Sequence, residues 1–91
     1  MTTRFRRHPE LRLTALEGEG VVLHLGTRRY FSVSESGLVL LEALETARTA
    51  DDLARALGAR YDVTPEHAAG SVRTFLDRCR ALDVLLVERE P

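Results

Sequence analysis

Ninety-one residues with a formal charge of -1, 44% hydrophobic content and a single cysteine describe one small domain. A chain of this length buries roughly 60–65% of its unfolded surface, which leaves one modest core and excludes a cofactor-binding domain beside a catalytic one. One cysteine forms no internal disulfide, and no stretch reaches the roughly 18–20 apolar residues of a membrane span or reads as a signal peptide. A cytoplasmic location without membrane association is therefore expected.

All 13 basic residues are arginine, which reads as compositional bias before function. Their distribution is uneven. Residues 1–33 hold six Arg against three Glu, and residues 34–91 hold seven Arg against eleven acids. A near-neutral total argues against a dedicated nucleic-acid binder, for which a basic stripe is expected.

Residues 1–10, with Arg4, Arg6, Arg7 and Pro9, show no period and are expected to form a flexible arm. Three strand-like segments follow. Leu11–Leu16 alternates in part, Gly20–Leu25 places Val21, Leu23 and Leu25 on one face, and Arg28–Val33 sets Phe31 and Val33 opposite Tyr30 and Ser32. The glycine-containing connections between them have the length that joins antiparallel neighbours, which predicts a meander.

At Ser34, a candidate N-cap, the period changes to 3.6, with Leu40, Leu41 and Leu44 on one face of a helix running to about Glu45. Thr49 with Asp52 three residues on gives a capping signature for a second, short helix carrying Leu53, Ala54, Leu57 and Tyr61. Thr64-Pro65-Glu66 opens a third and longest helix through Ala68, Val72, Phe75, Leu76, Cys79 and Leu82. Val84–Val87 is a short apolar return, and residues 88–91 read as a polar tail. The sum is an α+β fold: a winged-helix-like domain over 11–87, with a three-stranded antiparallel sheet followed by three helices.

No enzyme template fits these residues. His8, His24 and His67 are scattered over arm, strand and helix start, and Cys79 lacks a CxxC partner, so neither a metal nor another cofactor is expected. Cys79 falls on the apolar stripe of helix three, where a buried structural thiol is the ordinary reading. The acids Glu42, Glu45, Asp51 and Asp52 sit at helix faces and caps, where solvation and the helix dipole account for them.

The most distinctive run is the third strand and the capped helix after it, Arg28-Arg29-Tyr30-Phe31-Ser32-Val33-Ser34-Glu35-Ser36-Gly37. It resembles the PqqD-like family of recognition elements for ribosomally synthesised, post-translationally modified peptides. Gly37 matches the family's small residue, and Leu40-Leu41 stands for its apolar pair. Thr49–Leu57 resembles its threonine-capped second helix, Tyr61-Asp62-Val63 its Tyr-x-Val turn, and Val72–Leu86 its final helix and apolar run. The chain departs from the family pattern at Arg28, where a glycine often precedes the arginine, at Ser34 for Asn, at Leu41 for Trp, and at Asp83, where a glycine commonly follows the last helix. The Tyr-Phe-x-Val-Ser wording and stand-alone form resemble the leader-recognition proteins of lasso-peptide clusters more than those of pyrroloquinoline-quinone assembly.

The resemblance implies a non-catalytic function. A precursor's leader peptide would add as a strand beside the third strand, against the third helix, and be presented to a separate leader peptidase, cyclase or other modifying enzyme. The template would be Arg28, Arg29, Tyr30, Phe31, Ser32 and Val33. On helix three, 100° steps put Phe75 at the centre of the buried face beside Val72. Leu76, Arg73 and Arg80 then form the shoulder expected to wall the cleft, with Leu76 as its apolar floor. The alternative from another class is a winged-helix DNA-binding module using Arg4, Arg6, Arg7 and Arg12 on phosphates. The acids Glu66, Asp77 and Asp83 on helix three weigh against it.

Overall fold

Alternating side chains and capped helical runs give eight elements in the computed structural model, which describes residues 2–90. In chain order they are β1 (Thr2–Arg7), β2 (Leu11–Leu16), β3 (Glu19–His24), β4 (Arg29–Ser34), α1 (Glu35–Ala43), α2 (Ala50–Arg60), α3 (Pro65–Ala81) and β5 (Leu85–Glu90). Strands β2, β3 and β4 form the expected antiparallel meander in sequential order, and the three helices follow it. The α+β, winged-helix-like arrangement is thus as the pattern indicated.

The two ends differ from the expectation. The supposed arm is strand β1, paired antiparallel with β5 from Thr2 opposite Glu90 to Arg7 opposite Leu85, so residues 88–90 of the supposed tail are also strand. Met1 and Pro91 lie outside the described residues. The ribbon is tied to the domain by paired backbone bonds between Phe5 and Arg48 (2.7 and 2.8 Å) and by Arg7, whose guanidinium donates to the Leu41 carbonyl at 3.0 Å. Phe5 packs against the core. A partner some 80 residues away in sequence gives no local periodic signal, which is why the arginine-rich segment reads as irregular.

The helix starts follow their caps. Ser34 Oγ accepts the Gly37 N–H at 3.1 Å, and Thr64 Oγ1 accepts the His67 N–H at 3.1 Å with Pro65 in the first turn. Thr49 and Asp52 close a reciprocal capping box with bonds of 3.1 and 3.0 Å. The Thr49 backbone N–H that donates to the Asp52 carboxylate, then the Thr49 hydroxyl, with Arg55 beside them, hold that carboxyl below the usual carboxylate range.

The core joins Leu11 and Val22 of the sheet to Leu40 and Leu41 from α1 and its C-cap Leu44, Leu53 and Leu57 from α2, and Val72, Leu76 and Cys79 from α3. On β3 the inward residues are Gly20, Val22 and His24, while the apolar set Val21, Leu23 and Leu25 turns outward. Gly20 explains this register: a Cβ there would stand 3.0 Å from the Leu38 side chain, so α1 rests directly on the β3 backbone. His24 is buried at the hairpin, its Nδ1 accepting the Thr27 N–H at 3.3 Å and its ring lying 4.5 Å from that of His8.

The α3 phase also differs from the expected one. Its buried stripe is Ala68, Val72, Leu76 and Cys79, with Leu76 only 6% exposed, whereas Phe75 is half-buried and Leu82 is 47% exposed. Phe75 instead lies beside Gly37, where an added Cβ would stand 3.7 Å from its Cε1, and both residues line the cleft, while Leu76 joins the core cluster. No helix among the described residues is long and apolar enough to cross a membrane.

Candidate functional site

Strand β4 is an edge of the meander, and the ladder shows which of its backbone groups are free. Leu25 N–H donates to Glu10 C=O at 3.0 Å, in register with Leu11 opposite His24. Ladder bonds alternate along antiparallel strands, so Leu23, Val21 and Glu19 bond to β2, and His24, Val22 and Gly20 bond to β4. Their partners on β4 are Arg29, Phe31 and Val33. The N–H and C=O groups of Tyr30 and Ser32 therefore point away from the sheet.

A cleft of about 730 Å³ opens beside this edge. Phe31, Ser32, Val33 and Ser34 line one side, and Leu40, Leu41 and Leu57 lie among its floor residues. The far wall is α3, through Ser71, Thr74, Phe75, Arg78, Cys79 and Leu82. A second cavity of about 380 Å³ adjoins it at the start of α1, where Ser34 and Ser36 face His67 and Ser71. There Tyr61 donates its hydroxyl to Glu35 Oε1 at 3.0 Å, and burial and that carboxylate push the tyrosine above its usual pKa. Cys79 is buried at 6% exposure, and desolvation pushes its thiol up to about 11 despite the neighbouring Arg78. Such a thiol is a packing group and a poor nucleophile.

An antiparallel strand added to β4 would bond at Tyr30 and Ser32. Its side chains opposite Phe31 and Val33, two residues apart, would share their face and enter the cleft. Tyr30, at 75% exposure, lies on the outer face with Ser32. Unpaired backbone groups beside a largely apolar trough are the geometry that strand addition requires.

Of the residues singled out in the sequence, the structure brings Phe31, Ser32 and Val33 to the cleft. Tyr30, Arg29 and Arg28 are not among its lining residues: the Tyr30 side chain is on the outer face, Arg29 lies at the strand start, and Arg28 sits in the hairpin with φ 61°. The expected α3 shoulder does not wall this cleft. Val72 and Leu76 are core, while Arg73 and Arg80 are exposed on the flank opposite Phe75 and Arg78. The wall is instead the flank of small residues Gly70, Ser71 and Thr74. Those residues leave room for a strand, and their spacing together with Gly37 was the available signal. Among the described residues no three His, Cys, Asp or Glu side chains are grouped to hold a metal ion.

The fold is a small α+β domain with a cleft beside a free sheet edge, and comparison with known proteins gives the family. Residues 19–85 match the family model described as coenzyme PQQ synthesis protein D (PqqD). The chain belongs to the PqqD family. It superposes with a TM-score of 0.75 at 24% identity on TbiB1 in complex with the TbiA(beta) leader peptide, covering 88% of this chain and 93% of that one. A lasso peptide synthetase B1 complexed with the leader peptide superposes with a TM-score of 0.73 at 18% identity, covering 90% and 96%. The PqqD truncation of Methylobacterium extorquens PqqCD, a stand-alone recognition element for ribosomally synthesised and modified peptides, gives 0.75 at 23% identity, covering 94% and 89%. At these identities the superpositions establish the shared fold. No curated protein matches the sequence.

Proposed function

We propose that the protein binds the leader peptide of a ribosomally synthesised, modified peptide precursor as an antiparallel strand on β4, in the cleft against α3. The observation that carries this reading is the free edge at Tyr30 and Ser32 beside an apolar trough. Family membership supports it, as do two structures of the same fold solved with leader peptides. The second of these, a lasso peptide synthetase B1, favours a lasso-type precursor. The domain carries no chemistry of its own in this reading. It holds the leader so that a separate peptidase, cyclase or other modifying enzyme meets the core peptide at raised local concentration.

The peptide contacts come from the β4 backbone at Tyr30 and Ser32, the side chains of Phe31 and Val33, and the α3 flank of Ser71, Thr74, Phe75 and Arg78. Duplex binding is the weaker reading, because Arg73 and Arg80 share exposed α3 surface with Asp77.

The test is fluorescence anisotropy with labelled leader peptides from short reading frames beside the gene, against a scrambled peptide and a random DNA duplex. One leader is expected to bind saturably and the scramble not at all. Binding to the duplex alone, collapsing as salt rises, overturns the proposal.

A further inference from the structure

We infer that the cleft fixes the direction of its peptide by charge, taking a segment with basic residues N-terminal to its inserted apolar pair and acidic residues C-terminal to it. This rests on strand addition at β4. The chemistry lies in two ends of the α3 wall. Glu66 and Arg78 both line the cleft, and twelve residues of helix separate them by about 18 Å. That exceeds the Debye length of about 8 Å at physiological ionic strength, so each charge acts on its own end.

The ends are identified by the adjoining cavity. Ser34 and Ser36 share it with His67 and Ser71, so the N-terminal turns of α3 flank the C-terminal end of β4. Arg78 and Leu82 lie two to three turns further along the same wall, away from that end of the cleft.

The backbone does not cancel this polarity. At the N-terminus of α3 the Thr64 hydroxyl takes the His67 N–H, and the Glu66 carboxylate offsets the positive helix end. At the C-terminus Arg78 and Arg80 offset the negative one. Glu35 is held by Tyr61 and lies 3.8 Å from Arg60, which leaves Glu66 as the principal negative charge at its end. Antiparallel addition places the N-terminus of the peptide at the C-terminal end of β4, hence beside Glu66, and its C-terminal side beside Arg78.

A displayed library of random dodecapeptides, selected on the wild-type protein and counter-screened on Ser32→Pro, tests this. Enriched sequences are expected to carry apolar residues at i and i+2, with basic residues before and acidic residues after, and Arg78→Glu should remove the acidic preference. Two synthetic peptides of the enriched pattern with flanking charges exchanged should differ about tenfold in affinity at low salt, a gap that closes as salt rises. Enriched peptides lost on Ser32→Pro but showing no charge order, or the reverse order, overturn the polarity and leave strand addition standing. No enrichment, or enriched peptides that bind Ser32→Pro equally well, overturn strand addition and the polarity with it.

Discussion

Replacing Leu76 and Phe75 by alanine separates the core side of α3 from its cleft side. Leu76 is 6% exposed and packed within the cluster that includes Val72 and Leu57. Its truncation should cost about 2–5 kcal/mol, against a total stability of about 5–14 kcal/mol for a domain of this size. At roughly 4–8 °C per kcal/mol, a loss of about 3 kcal/mol lowers Tm by roughly 12–24 °C. Phe75 is only half-buried and lines the cleft, so its truncation should cost at most about half of the 3–5 kcal/mol typical of a core phenylalanine. Its larger effect should fall on peptide affinity, at about tenfold or more. Thermal denaturation followed by circular dichroism, with peptide titration of whichever variants remain folded, measures both. A Phe75→Ala protein that loses more stability than Leu76→Ala and binds peptide like wild type would refute the helix phase and the cleft wall.

Three further outcomes follow from local geometry. Arg28 and Asp83 occupy left-handed backbone at φ 61° and 57°, so Arg28→Gly and Asp83→Gly should each leave stability unchanged or raise it by up to about 1 kcal/mol in urea denaturation. Thr49→Ala removes half of the α2 capping box and should cost about 1 kcal/mol by the same measurement. Because the folded Asp52 carboxyl titrates below its usual range, its contribution is present above an unfolded value of about 3.9 and is lost as pH falls through the folded value. The Tm gap between wild type and Asp52→Asn should therefore be largest near neutrality and shrink in strong acid; a gap that widens in acid would contradict the cap.

Local signals made the meander and the helices legible. Ser34, Thr49 and Thr64 were readable as caps because each donor they satisfy lies three residues away. The β1–β5 ribbon was not, since both its strands depend on partners distant in sequence. The site was legible on β4, where alternation alone assigns Phe31 and Val33 to one face. On α3 the 100° steps left two neighbouring phases, and Phe75 looked like the natural core residue by size. What distinguishes them is which side of α3 meets α1 and α2 and which borders the cleft, a tertiary feature that periodicity along one helix does not contain. The two positions where the chain lacks the family's glycines, Arg28 and Asp83, do coincide with the two described non-glycine residues at positive φ, so there the departures from the pattern mark backbone geometry.

Residue-resolved amide exchange by NMR, with and without the cognate leader peptide, tests strand addition most directly. The Tyr30 and Ser32 amides, which point away from the sheet, should exchange readily in the free protein and become protected when peptide binds. Phe31 and Val33, already bonded to β3, should change far less. Peptide-induced protection confined to β2, β5 or the exposed Arg73 and Arg80 flank of α3, with Tyr30 and Ser32 still exchanging freely, would contradict it.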